Sequence, residues 1–135
     1  MKNTKVLDIF LLISGFIAAG IGANILFLPV VFYASNGIEL AGNINLLNEI
    51  RASGGALLAA GVLIISGSFI PGIKFTAIVL SALLYLAYGL SRVFSFIIDG
   101  IPSEGLVLAA GLEVFIGLGC IWIYFKYRAF LKYSS

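Results

Sequence analysis

Four apolar stretches, each long enough to cross a bilayer, decide what this chain can fold into. A helical span needs about 20 mostly apolar residues, and such stretches run over about 6–28, 45–70, 74–98 and 104–125. Turn residues separate them. Pro29 closes the first, Pro71-Gly72 parts the second from the third, and Asp99-Gly100 with Pro102-Ser103 parts the third from the fourth. Short turns force antiparallel neighbours. The expected fold is therefore all-α: an integral membrane four-helix bundle, antiparallel up-down-up-down, as a single transmembrane domain over 1–135. No internal repeat is evident. The apolar run after Lys2 and Lys5 is too long for a signal-peptide core and reads as the first span.

Composition closes other routes. Apolar residues make up 61% of the chain and charged residues 10%, against about 45–50% and about 25% in soluble domains. Mean hydropathy is +1.16. A soluble globule and a disordered chain are both excluded. A net charge of +2 is too small for the basic face of a nucleic-acid binder. There is no histidine, and Cys120 is the single cysteine. An intrachain disulfide, a Cys/His metal cage and a Ser-His-Asp triad are thus ruled out. No metal or cofactor is expected.

The basic residues give an orientation. With four spans, both termini and the Pro71-Gly72 turn share one side, which carries Lys2, Lys5, Lys74, Lys126, Arg128 and Lys132. The loops of the other side carry Glu39, Asp99 and Glu104 and no lysine or arginine. Lysine and arginine excess marks the cytoplasmic face. The expectation is a multi-pass protein of the cytoplasmic (inner) membrane with both termini inside. Trp122, Tyr124, Tyr127 and Tyr133 fit an aromatic belt at that boundary. The segment Pro29 to Gly42 is still apolar, with Val30, Val31, Phe32 and Tyr33, so it reads as a short interfacial helix or flap. Asn43 or Asn45 should cap the helix that follows.

Charges inside the spans point to a site. Each costs roughly 2.5–3.5 kcal/mol on insertion scales. Glu49, Arg51, Arg92, Asp99 and Glu113 crowd the outer half; Asp8, beside Lys5, only sets a boundary. Glu113 lies nine residues past Glu104, roughly 14 Å deep, and Arg92 seven before Asp99, roughly 10 Å deep. Side chains lean toward their helix's N-terminus, so on antiparallel neighbours these two heads converge into an ion pair. Arg51 should find Asp99 or Glu49. Ser81, Tyr85, Tyr88, Arg92, Ser95 and Asp99 form one stripe at helical spacing. Gly54, Gly55 and Gly61 continue the Arg51 face, and Gly117 shares the Glu113 face with Ala109, Ala110 and Cys120. The first span adds Gly15, Ala19, Gly20 and Asn24. Small residues let backbones or a ligand approach closely. The expected ligand site comprises Arg51, Arg92, Glu113, Tyr85, Tyr88, Asp99 and Glu49, in a pocket that opens outward. Cys120 reads as a small core residue.

Two motifs carry a resemblance. Asn48-Glu49-Ile50-Arg51-Ala52-Ser53-Gly54-Gly55, with Gly61, resembles the second-span signature of a bacterial family of small four-span membrane proteins. Ser91-Arg92 followed by Asp99-Gly100-Ile101-Pro102-Ser103 resembles that family's third-span ending. The family is catalogued as a domain of unknown function. The resemblance covers about residues 6–125. It implies that Arg51, Gly54, Gly55, Arg92, Asp99, Gly100 and Pro102 belong to a family pattern and supplies no activity. The plan is also similar to DoxX-like membrane proteins, in topology only.

Several functions remain compatible with these residues. One is binding or moving a small amphipathic or anionic-headed lipophile, since arginine forks suit carboxylate and phosphate heads. A second is an assembly protein whose buried pairs only fix helix order, with homo-oligomers formed through the Gly/Ala faces. A third is a membrane enzyme on a lipophilic substrate, using paired acids. A proton-coupled exporter fits less well, because Arg92 would hold Glu113 ionised. The lipid bilayer itself is the one partner that composition specifies.

Overall fold

The computed structural model describes the backbone of residues 2–134 and the side chains of residues 5–129. Lys2, Lys132 and Tyr133, invoked above for orientation and the aromatic belt, have side chains outside the described residues. The elements are α1 (Lys2–Phe27), α2 (Pro29–Ala34), α3 (Ile44–Phe69), α4 (Lys74–Asp99) and α5 (Glu104–Ser134). A single 3-10 turn, Pro71–Ile73, joins α3 to α4. Four of these helices are long and apolar enough to cross a membrane: Lys5–Phe27, Ile44–Phe69, Pro71–Asp99 and Glu104–Ala129. The last outruns the expected span by a turn.

Local chemistry explains each boundary. Leu28 leaves the helical region at φ −128°, ψ 46°, and Pro29 starts α2, where its missing N–H is no loss. The Asn43 side chain caps α3, accepting from the Leu46 N–H at 3.0 Å. Ile70 is extended because the residue before a proline is pushed out of the helical region. Gly100, at φ 100°, stops α4 in a conformation that side-chain-bearing residues avoid. The Ser103 carbonyl then accepts from Leu106 and Val107 and opens α5.

The bundle is two close helix pairs. In α1–α3, glycines from both helices bring the backbones together. A Cβ on Gly54 would lie 2.7 Å from the Leu26 nitrogen, one on Gly61 would strike Ala19, and one on Gly22 would strike Leu58. In α4–α5, Gly89 receives Val114 and Gly117 receives Leu86 in the same way. The pairs meet at the end that carries both termini, called here the terminal end. There Gly67 of α3 packs on Ala77 of α4, and Leu7, Leu11, Ile64, Ile78 and Ile123 form a buried cluster. Phe16, Phe94 and Phe115 stand exposed on the outside, as side chains facing lipid do.

Two expectations about the glycine and small-residue faces are corrected. Gly55 has nothing near it and faces outward, because a position next to Gly54 is rotated about 100° around the helix. Gly20 is likewise open, and Asn24 bonds back to the Gly20 carbonyl at 2.8 Å. Gly15 and Gly22, not Gly20, make the close approaches of α1. Asp8 is not a mere boundary. It forms an ion pair with Lys74 at 2.6 Å, and its carbonyl accepts from the Ser68 hydroxyl at 3.0 Å. These bonds tie α1, α3 and α4 together at the terminal end.

Candidate functional site

The two pairs are fastened at the terminal end. The space between them is a cavity of about 380 Å³, within the range of small-molecule sites. It lies in the half of the bundle away from the termini. Ile17, Ile21 and Ile25 of α1 and Leu57 of α3 wall one side; Leu84 of α4 and Leu112 of α5 wall the other. The expected flap is present. α2 lays Phe32 and Tyr33 over the core, and the segment after it adds Asn36 and Ile38 to the lining. Leu40 is buried. Val30 and Val31 instead face outward, so the short helix is apolar on both sides.

Arg92 and Glu113 stand on the cavity wall. Arg92 Nε donates to Glu113 Oε2 at 2.8 Å, and the side chains are 31% and 14% exposed. α4 and α5 run antiparallel, so the two side chains lean toward each other's depth. The more hidden partner is the carboxylate. The guanidinium has donors beyond Nε that make no hydrogen bond among the described residues.

The tyrosines divide in role. Tyr85 is buried and its hydroxyl donates to the Ser14 carbonyl, so that group is already satisfied. Tyr88 is half-buried on the lining, as is Tyr33 of α2, and neither hydroxyl has a partner among the described residues. Below Tyr85 a buried chain runs from Cys120 Sγ to Ser81 Oγ at 3.1 Å, and on to Ser14 Oγ at 3.3 Å. It links α5, α4 and α1 and satisfies every hydroxyl in it. Cys120 is a buried free thiol.

Three expected site residues lie off the cavity. Arg51 does not meet Asp99 or Glu49; it donates to the Leu26 carbonyl. The reason is a helix end. α1 stops at Phe27 beside α3, its last carbonyls lack partners within the helix, and a cation there also meets the negative end of the helix dipole. Asp99 accepts from the Ser95 hydroxyl one turn back at 2.9 Å. Glu49 is exposed. Among the close-packing glycines, Gly54, Gly61 and Gly117 are taken up by their own bundle and do not floor the cavity. Tyr33 and Asn36 were missed by sequence reasoning. Their only signal was the apolar character of the segment that carries them. Among the described residues no group of His, Cys, Asp and Glu could hold a metal ion.

A family model described as a domain of unknown function, DUF4345, matches residues 6–124. The chain belongs to the DUF4345 family. No curated protein and no solved structure matches it. This DUF4345 member is a multi-pass membrane protein by the length and apolarity of its four helices.

Proposed function

We propose that this protein binds a small amphipathic, lipophilic ligand in the cavity between the α1–α3 and α4–α5 pairs, with the ligand's polar group at Arg92. The observation that carries the reading is a cavity with apolar walls and one polar corner. In that corner Arg92, Tyr88 and Tyr33 hold donors that no group among the described residues occupies. These donors are half-buried against an apolar-walled cavity, and a ligand oxygen would satisfy them there. Glu113 holds the guanidinium in place and leaves its remaining donors free. The Arg92 end faces the outside of the cytoplasmic membrane in this reading, and the DoxX-like resemblance adds topology alone.

Native mass spectrometry of the detergent-purified protein tests it. We expect a co-purifying lipophile that is retained by the parent chain and lost from Arg92→Met while the helix content is unchanged. A parent chain that releases nothing under any mild condition would sink the reading and leave the assembly role.

A further inference from the structure

A ligand needs a way in, and the ring of helices is not evenly closed. α1 packs along α3, α3 meets α4, and α4 packs along α5, but the backbones of α1 and α5 scarcely approach each other among the described residues. In the terminal half, side chains fill this seam. The Phe10 ring lies where a Cβ on Gly119 would sit, 2.9 Å from its edge, and Leu7 and Leu11 reach Ile123. In the other half, Ile21 lies about three turns past Phe10 on the same face of α1, and Leu112 about two turns before Gly119 on the same face of α5; both line the cavity. They are 36% and 47% exposed while lining the interior. They are therefore the lips of an opening, and what lies outside them at that level is hydrocarbon. From the water side, α2 and Asn36 cover the cavity, and a Cβ on Gly105 at the start of α5 would lie only 2.9 Å from Asn36 Oδ1.

Depth restricts the occupant. Arg92 sits about 10 Å inside the end of α4, below the level at which phospholipid heads are hydrated. A ligand group that reaches it must be small enough to live within the hydrocarbon. The corner is also already neutral, because Glu113 answers Arg92 at 2.8 Å. A second carboxylate would stand beside the first and repel it, whereas a hydroxyl or carbonyl oxygen can accept from Arg92 and the tyrosines with no such cost.

We propose that the cavity is filled sideways from the bilayer, through the α1–α5 seam between Ile21 and Leu112, by a single-chain lipophile carrying a hydroxyl or carbonyl group. This rests on the cavity being a ligand site and specifies its entry and ligand class.

The full chain with Trp122→Phe and Tyr88→Trp carries one fluorophore, in the cavity. In vesicles of phosphatidylcholine brominated in mid-chain, its emission should be quenched at least twofold, while iodide in the water should quench it little. Leu112→Ala should deepen the lipid quenching and Leu112→Phe should roughly halve it. A second reporter, Leu84→Trp in place of Tyr88→Trp, must give the same pattern. Quenching by iodide alone, or by neither agent, overturns the seam as the entrance. In a separate arm, the parent chain is equilibrated with equimolar hexadecanol and hexadecanoate and analysed by native mass spectrometry. Retention of the alcohol at several-fold excess supports the neutral head, and preference for the acid overturns it. Failure to retain either one counts against the ligand site itself, whatever the quenching shows.

Discussion

The exchange of single charges is the sharpest test at the scale of residues. Arg92 and Glu113 are joined at 2.8 Å on the wall of a cavity. Removing one partner of a buried pair costs about 3–5 kcal/mol, because the other charge is left uncompensated. Glu113→Ala should fall at the low end of that range, since Arg92 keeps some exposure. Glu113→Gln keeps the shape and an accepting oxygen and should cost less. Thermal unfolding in detergent ranks the two. The double change Arg92→Met with Glu113→Leu should recover most of the stability, since apolar isosteres can replace a buried pair. Ligand retention should not recover. If both recover, the pair is structural only and the polar corner does not bind.

The depth match of Arg92 and Glu113 was legible in the sequence because it depends only on helical rise and on the direction in which side chains lean. Arg51 was not. Its partner is a backbone carbonyl at Leu26, and a main-chain acceptor leaves no letter in the sequence to search for. The Asp8–Lys74 pair was legible in principle, because both residues lie at the same end of adjacent spans. Lys5, three residues away along the chain, is the partner that sequence proximity favours instead.

At the scale of elements, the glycines of α3 separate two effects that composition merges. Gly54 and Gly61 face α1, while Gly55 faces outward with open space around it. The sequence showed a glycine-rich helix but not which azimuth its partner would take, since beyond the first turns of α3 neither α1 nor α3 confines its apolar residues to one face. Gly61→Ala should drive a methyl group into Ala19 and cost about 1–3 kcal/mol, the usual penalty of overpacking. Gly55→Ala meets nothing and should be neutral, or stabilising by up to about 1 kcal/mol through helix propensity. Parallel denaturation of the two variants checks the assignment. Equal losses would mean that Gly55 is also in a contact, and the exposed face of α3 would then belong to an interface between copies. The boundaries of the elements were the most legible feature. Pro29, Asn43, Pro71 and Gly100 act through covalent geometry and capping, which need no tertiary context.

For the whole molecule, the charge count sets which way the bundle faces, and the structure alters the weights in that count. Lys74 is buried against Asp8 at 2.6 Å, so much of its charge is answered within the protein. Arg51 sits close to the opposite end, exposed and bonded to a backbone carbonyl. Both corrections reduce the asymmetry. Lys2, Lys5, Lys126, Arg128 and Lys132 still lie at the terminal end, and Lys126 stands 4.6 Å over the Trp122 ring, as an interfacial anchor would. The connections at the other end still carry only Glu39, Asp99 and Glu104. A reporter enzyme that is active only outside the cytoplasm should therefore be inactive when fused after Ser135 and active when inserted near Glu39. The bias should also be adjustable. Glu39→Lys with Glu104→Lys, in a background of Lys126→Gln and Arg128→Gln, should produce a mixed population with measurable activity from the Ser135 fusion. Lys74→Gln should change that activity little, because its charge is already paired with Asp8. Strong activity from the unmodified Ser135 fusion would invert the molecule. The α1–α5 seam would then open to the cytoplasmic leaflet, and the lipophile would be drawn from that side.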